Sequence, residues 1–509
     1  MSKADVELND EDESSPDKGY FKRKEGDAMN RRTWLPVILL VSISWRVLSQ
    51  TTDLYQTNFP PEEFKARWAK VFDAIGDKAL AIVQGAPQVT GFIYPRQYNE
   101  FYYLCGIETP YSYFMLDGRT RKATLFLPPR NARLEQAEGK TLSAADPELV
   151  MRLTGVDTVL STEAMRGELF AGLFTGRSMV IYTPLQPPEG YAESRGEVLS
   201  SEAGMAFDYW DGRIPRHTHF VQLLHTRFPR TEIRDLSPIL DEMRLIKSPR
   251  EIELIRRASK LAGLGMMEAI RSTEPGVYEY QLDAAARYIF LVNGARLDAY
   301  RSIVGAGTPN IWNMHYYRNM KKLEDGELVL MDYAPDYHYY VSDIGRVFPV
   351  NGKYSKVQRE LLGFVLEYFK AVMKRIRPGV TPKQIMDEAA VAMEDVFKRT
   401  KFSKPIYEQA AHRLVETGGG VFSHTVGMAV HDVGNYHNDP LKPGLVFTVD
   451  PQLRVPEENI YLRYEDTVVI TESGVENFTS FLPIELDDLE KLVREKGVVQ
   501  KVPPQPTVN

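Results

Sequence analysis

Apolar positions along this chain follow two patterns that meet near residue 236. From about Asp53 to Ile233, short β-rich runs (ALAIVQG, SYFMLDG, KATLFLPP, SMVIYTP) alternate with helical patterns such as RWAKVFDAI, which predicts a small α/β domain. Residues 186–216 are rich in Pro, Gly, Ser and Glu and read as a long surface loop. Beyond them, KSPREIELIRRASKLAGLGMMEAI predicts a helix with Ser248 as N-cap, Pro249 at the first position and Glu251 completing a capping box. Its apolar stripe through Ile252, Leu254, Ile255, Leu261 and Leu264 breaks at Pro275 and Gly276. A second helix, YEYQLDAAARYIFLVNG, stops at Asn293 and Gly294, and a third follows near Lys356 to Arg375. Helices interleaved with strand-like sequence make the second half an α+β domain.

The ends behave differently. Residues 1–28 hold almost no aliphatic side chains, too little apolar surface to offset the entropy of ordering, and read as a disordered extension. In MNRRTWLPVILLVSISWRVLSQ, two arginines precede an apolar stretch and a small residue follows, the order of a secretory signal over 29–49 with Met29 as the true start. Pro36, Ser42, Ser44 and Arg46 leave the run short of a spanning helix. Use of this signal predicts a periplasmic or secreted protein that meets a membrane only through that segment; without it the chain is membrane-anchored or cytoplasmic. The organisation expected is therefore an N-terminal domain over 50–236, a second domain over 237–488 and a C-terminal tail over 489–509, frayed after about Arg494.

The charge balance, 62 basic against 69 acidic residues for a net of -7, offers no basic excess to grip a phosphate backbone, so nucleic acid is not an expected partner. A single cysteine, Cys105, excludes both a disulfide framework and a multi-Cys zinc site.

Candidate chemistry concentrates in the second half. The segment ELVLMDYAPDYHYYVSDIGRVFPV reads as a hairpin. Folded about residues 337 and 338, it makes Asp332 and Asp343 cross-strand partners with Cβ atoms about 4.5 to 5.5 Å apart. Downstream, LVFTVDPQLRVPEENIYLRYEDTVVIT sets Asp450 and Glu465 on two arms around a turn at Pro456 to Asn459. Facing carboxylates repel unless a cation lies between them. With His424 and His431 in FSHTVGMAVHDVG between the hairpins, four carboxylates and an imidazole form a hard, oxygen-rich set suited to two divalent ions such as manganese. Two such ions can share a bridging water and activate it, which is hydrolase chemistry. A single strand acid is ordinarily solvated, and the paired spacing is what singles these out. His338, His412 and His437 read as surface groups, and His217, His219 and His225 as a loose cluster lacking an acid set. The N-terminal half shows no catalytic constellation and reads as scaffold.

These residues stand in motifs that resemble the pita-bread metallopeptidases, and within them the Xaa-Pro aminopeptidases (aminopeptidase P). The likeness spans nearly all of Thr52 to Leu486, through RWAKVFDAIGDKALAIVQG, YPRQYNEFYYLCG, DEMRLIKSPREIELIRRA, YRSIVGAG, DGELVLMDYAP, SDIGRVFPVNGKYS, VHDVG, PGLVFTVDP and RYEDTVVIT. The resemblance implies a pita-bread catalytic domain behind a smaller α/β domain of the aminopeptidase P N-terminal type. It implies a dinuclear site held by Asp332, Asp343, His424, Asp450 and Glu465, filled by manganese, with cobalt or zinc as alternatives. It also implies that His315 and His431 bind substrate and relay protons, that Arg463 supports the site, and that Asp450 takes a proton from the bridging water. The expected activity is release of the residue preceding a penultimate proline, by a homo-oligomer, dimer or tetramer. Three positions depart from the family: Asp450 stands where glutamate is usual, Gly420 where a histidine is, and Arg454 where a tyrosine is. The alternatives these departures leave are a prolidase-type dipeptidase and a pita-bread module that binds peptides or proteins without cleaving them.

Overall fold

The computed structural model describes residues 54–175 and 180–503. The expected disordered extension 1–28 and signal segment 29–49 lie outside the described residues. Among those described, no helix is long and apolar enough to cross a membrane.

Helix Pro61–Ile75 begins with a proline at its first turn and acids at Glu62 and Glu63, and buries Phe64, Trp68, Val71, Phe72 and Ile75 along one face. That face covers a six-stranded mixed sheet of Ala79–Gln84 (β1), Tyr113–Asp117 (β2), Lys122–Leu127 (β3), Thr158–Ser161 (β4), Val180–Thr183 (β5) and Glu232–Asp235 (β6), in the order β4-β3-β2-β1-β5-β6. β1 pairs antiparallel with β2 and parallel with β5. Such a central strand is covered on both sides, which is why its sequence is continuously apolar rather than alternating. The stretch expected as a loop over 186–216 is instead interrupted by a helix, Arg195–Phe207, and a second helix, Arg216–Arg227, follows it. Ser, Gly and Pro hide the first of these from a sequence reading, since its helical pattern carries no buried stripe.

The second half opens with helix Ser237–Leu245, and the capping box of Ser248 and Glu251 forms at the start of Pro249–Arg271. This helix stops at Ser272, short of the expected breakers, and packs against Glu279–Val292. Small antiparallel sheets lie among these and the helices Lys356–Met373, Pro382–Arg399 and Pro405–Thr417. Their strands are Leu297–Asp298 (β7), Ile303–Ala306 (β8), Leu328–Asp332 (β9), Pro335–Asp336 (β10), Gly345–Pro349 (β11), Val446–Val449 (β12), Gln452–Val455 (β13), Ile460–Arg463 (β14), Asp466–Ile470 (β15) and Val475–Asn477 (β16). Helix Leu486–Val493 runs across the expected 488/489 boundary and buries Leu489, Leu492 and Val493, ending just before the stretch from Arg494 that reads as a frayed terminus.

Register decides where the acids fall. β12 and β15 pair Val449 with Asp466, and β13 and β14 pair Gln452 with Arg463, so one register runs through both ladders and sets Asp450 opposite Glu465 in the gap between them. This is the pairing that the spacing predicts. In the other hairpin it is two residues out, because β9 pairs Asp332 with Gly345 rather than Asp343. The turn is bridged from Tyr337 to Tyr340, with His338 and Tyr339 in the left-handed region, at φ 53° and 72°. A slip of two keeps both carboxylates on one face, whereas a slip of one would have separated them. A bridge between Gly345 and Glu465 joins the two hairpins.

Candidate metal centre

Asp332 ends β9, Asp343 lies just before β11, and the Tyr300 hydroxyl sits between them, 2.5 Å from Asp332 Oδ1 and 3.0 Å from Asp343 Oδ1, with one proton to share between the two. From the other hairpin come Asp450, after β12, and Glu465, between β14 and β15. His424 lies in a turn anchored by bridges from Thr425 to Asp432 and Phe447. Its Nδ1 is 3.1 Å from the Thr425 carbonyl, which fixes the tautomer and leaves Nε2 free, 3.4 Å from Asp343 Oδ2. Ligand atoms of Asp343, His424 and Glu465 all lie within 4.8 Å of one another. Asp332 and Asp450 join this cluster through Arg463, whose Nη2 contacts Asp332 Oδ2 and lies 2.6 Å from Glu465 Oε2, and whose Nη1 is 3.5 Å from Asp450 Oδ2.

The charges are out of balance. Four carboxylates, each at most 4% exposed, crowd together, and one guanidinium, that of Arg463, reaches three of them. Burial, then the Glu465 carboxylate, holds Asp450 well above the usual carboxylate range. Burial likewise raises Glu465, against the pull of Arg463. Burial disfavours a charged His424, but Asp343 and Glu465 outweigh it and raise the imidazole. Asp450 Oδ1 is buried with no hydrogen-bond partner among the described residues. An unpartnered buried oxygen and crowded acids pushed toward their protonated forms are the features of a site built to take a cation. The donor set fits divalent metal ions, with Asp332, Asp343, His424, Asp450 and Glu465 as the residues able to hold them.

The centre floors a cavity of about 500 Å³ whose walls include His315, His431, Arg301, Met314 and Gln452. His431 stacks edge-on against His424, ring centroids 4.3 Å apart. His315 is kept below its ordinary pKa by partial desolvation and by the nearby Arg463. The N-terminal half, read as scaffold alone, also reaches this cavity: Glu197 Oε1 lies 2.9 Å from His431 Nδ1, and Ser194 Oγ accepts the His431 backbone N–H at 3.1 Å. Both residues lie in the stretch expected as loop, so nothing in the sequence pointed to them. Tyr300 and Gln452 were also passed over, although Gln452 carried a signal, two residues from Asp450 and therefore on its face of the ribbon. His338, His412 and His437 are exposed, and the loose histidine cluster lies on helix Arg216–Arg227, with Glu202 3.5 Å from His217.

Two family models match this chain, aminopeptidase P, N-terminal domain, over residues 64–182 and metallopeptidase family M24 over residues 253–472. An Xaa-Pro aminopeptidase from Escherichia coli is 32% identical over 455 residues, covering 85% of this chain and 97% of that protein. One from Haemophilus influenzae is 31% identical over 460 residues, covering 86% and 99%. A zinc-substituted Escherichia coli aminopeptidase P in complex with product is similar in structure, with a TM-score of 0.69 and 28% identity over 86% of this chain and 99% of that one. The fold and the acid-rich centre define a pita-bread metallopeptidase with an α/β domain in front of it. The chain belongs to the aminopeptidase P family.

Proposed function

We propose that this protein is an Xaa-Pro aminopeptidase, a metal-dependent hydrolase that releases the N-terminal residue from peptides with proline in second place. The observation that carries the reading is the convergence of Asp343, His424 and Glu465 within 4.8 Å, beside a buried Asp450 with an unpartnered oxygen. When bound, two divalent ions supply a Lewis acid for the scissile carbonyl and lower the pKa of water. The oxygen-rich ligand set favours manganese over a metal that prefers thiolate.

The chain's own residues do the rest. Asp450 lines the cavity, its Oδ1 buried and without a hydrogen-bond partner among the described residues, and takes the proton of the attacking water. His315 and His431 stand on the cavity wall as hydrogen-bonding partners for the substrate backbone and for proton relay. Glu197 fixes the His431 ring through Nδ1, which leaves Nε2 to face the peptide. Arg463 spreads positive charge over Asp332, Asp450 and Glu465 and holds them together.

Hydrolysis of a chromogenic Lys-Pro peptide after addition of manganese tests the assignment, and activity at background with manganese, cobalt and zinc refutes it. Turnover of Xaa-Pro-Xaa peptides faster than Xaa-Pro dipeptides separates this activity from that of a prolidase. Export through residues 29–49 and assembly into a dimer or tetramer belong to the same reading. The almost fully exposed Phe92, Phe207, Tyr209 and Trp210 of the N-terminal domain support assembly, since surfaces of this kind are usually covered. N-terminal sequencing of the mature protein and light scattering test the two points.

A further inference from the structure

Asp450 is shorter by one methylene than a glutamate would be, and the residues around it compensate. Gln452 lies two positions on, half-buried, at the cavity wall. Its Nε2 donates to Asp450 Oδ2, and its Oε1 accepts from Arg454 Nη2 at 3.0 Å. A guanidinium can only donate, so the Arg454 contact settles which end of the amide faces Asp450: the NH2 end. Asp450 is left with one oxygen pinned and the other, Oδ1, buried and without a hydrogen-bond partner among the described residues. Arg454 is steadied in turn by the Tyr461 ring, 4.9 Å beneath its guanidinium carbon.

Space for this chain of contacts comes from Gly420. Its φ of +91° is strained for any L side chain, and a Cβ there would come within 2.8 Å of Gln452 Nε2 and 3.0 Å of the Asp450 carbonyl oxygen. A side chain at 420 and the amide of Gln452 compete for one volume. We infer that Gln452, oriented by Arg454 and admitted by Gly420, is a positioning residue that aims Asp450 Oδ1 into the metal centre. It touches no reacting atom. It fixes which carboxylate oxygen serves as ligand and base.

This rests on the two-ion reading, and calorimetric titration of manganese chloride into chelator-stripped full-length protein tests the two separately. The parent chain takes up two equivalents. In Gln452→Met, which keeps side-chain volume without a donor, the weaker binding step loses about tenfold or more in affinity, and kcat falls by about 10–100-fold with KM held within about twofold. Arg454→Met, at an exposed position, shifts both readouts the same way by a smaller factor. The double variant is no worse than Gln452→Met alone, because both act through one bond. Manganese affinity and kcat within about threefold of the parent in Gln452→Met overturn the inference. So does a double-variant loss equal to the product of the single losses. A parent that binds less than one equivalent overturns the two-ion reading itself.

Discussion

Removing the carboxylate of Asp432 is the sharpest stability test the structure offers. Asp432 Oδ1 lies 2.5 Å from Arg244 Nη2 and its Oδ2 lies 3.1 Å from Lys247 Nζ, with all three side chains only 1% exposed. Arg244 Nη2 also holds Glu189 Oε2 at 2.6 Å, and its Nη1 is 3.7 Å from Glu100, which binds Arg195 at 3.2 Å. The cluster therefore clamps the N-terminal domain to the loop that carries His431. Burial disfavours the Asp432 charge, but Arg244 and Lys247 outweigh it and hold the carboxyl below its usual range. In Asp432→Ala two buried cations lose their shared partner. Breaking a buried pair from one side costs about 3–5 kcal/mol, far above the median for a solvated pair. A folded body of roughly 450 residues melts with an entropy near 1 kcal/mol per degree, so Tm falls by about 3–5 °C. Scanning calorimetry reads this directly. Glu232→Ala, which removes the exposed partner of Arg234, serves as control and leaves Tm unchanged. An Asp432→Ala variant melting within about 1 °C of the parent refutes the reasoning.

Other outcomes follow from the same contacts. Glu197→Ala frees His431 Nδ1 and lowers kcat by about tenfold or more, while Tm barely moves because the pair is half-exposed; steady-state kinetics with an unchanged kcat contradict the role given to Glu197. Metal uptake releases protons, since Asp450, Glu465 and His424 are all raised and must lose their protons to bind. The sign follows: affinity for manganese falls as pH drops below neutrality, and titrations in buffers of different ionisation enthalpy show net proton release. A pH-independent affinity contradicts the assignment of those three residues. Gly420→Ala, strained at φ +91° and crowding Gln452, lowers kcat and manganese affinity together while Gly474→Ala, which meets nothing within 4 Å, leaves both unchanged.

Much of this architecture was legible from local pattern. The capping box at Ser248 and Glu251 marks the first helix of the catalytic half, and the strands ALAIV, YFMLD, KATLFL and VIYT sit where their β-branched and aromatic content places them. Cross-strand arithmetic aligned Asp450 with Glu465 because that hairpin is regular through its Pro456–Glu458 turn. It missed by two for Asp332 and Asp343 because His338 and Tyr339 take up left-handed conformations that neither residue type advertises. Contacts between remote segments were beyond reach. Nothing in the sequence near Glu197 signals that it meets His431, 234 residues away, or that Tyr300 ties two aspartates together. The sequence reading assigned no element to the C-terminal helix Leu486–Val493, whose apolar face of Leu486, Leu489, Leu492 and Val493 is only two turns long.

The metal centre proposed for this protein brings five side chains around two divalent ions. Elemental analysis of the purified full-length protein, equilibrated with manganese and freed of excess, measures this directly alongside an Asp343→Ala variant. The structure predicts close to two equivalents per chain in the parent and at most one in the variant, since Asp343 borders both His424 and Glu465. Less than one equivalent in the parent, or an undiminished two in the variant, contradicts it.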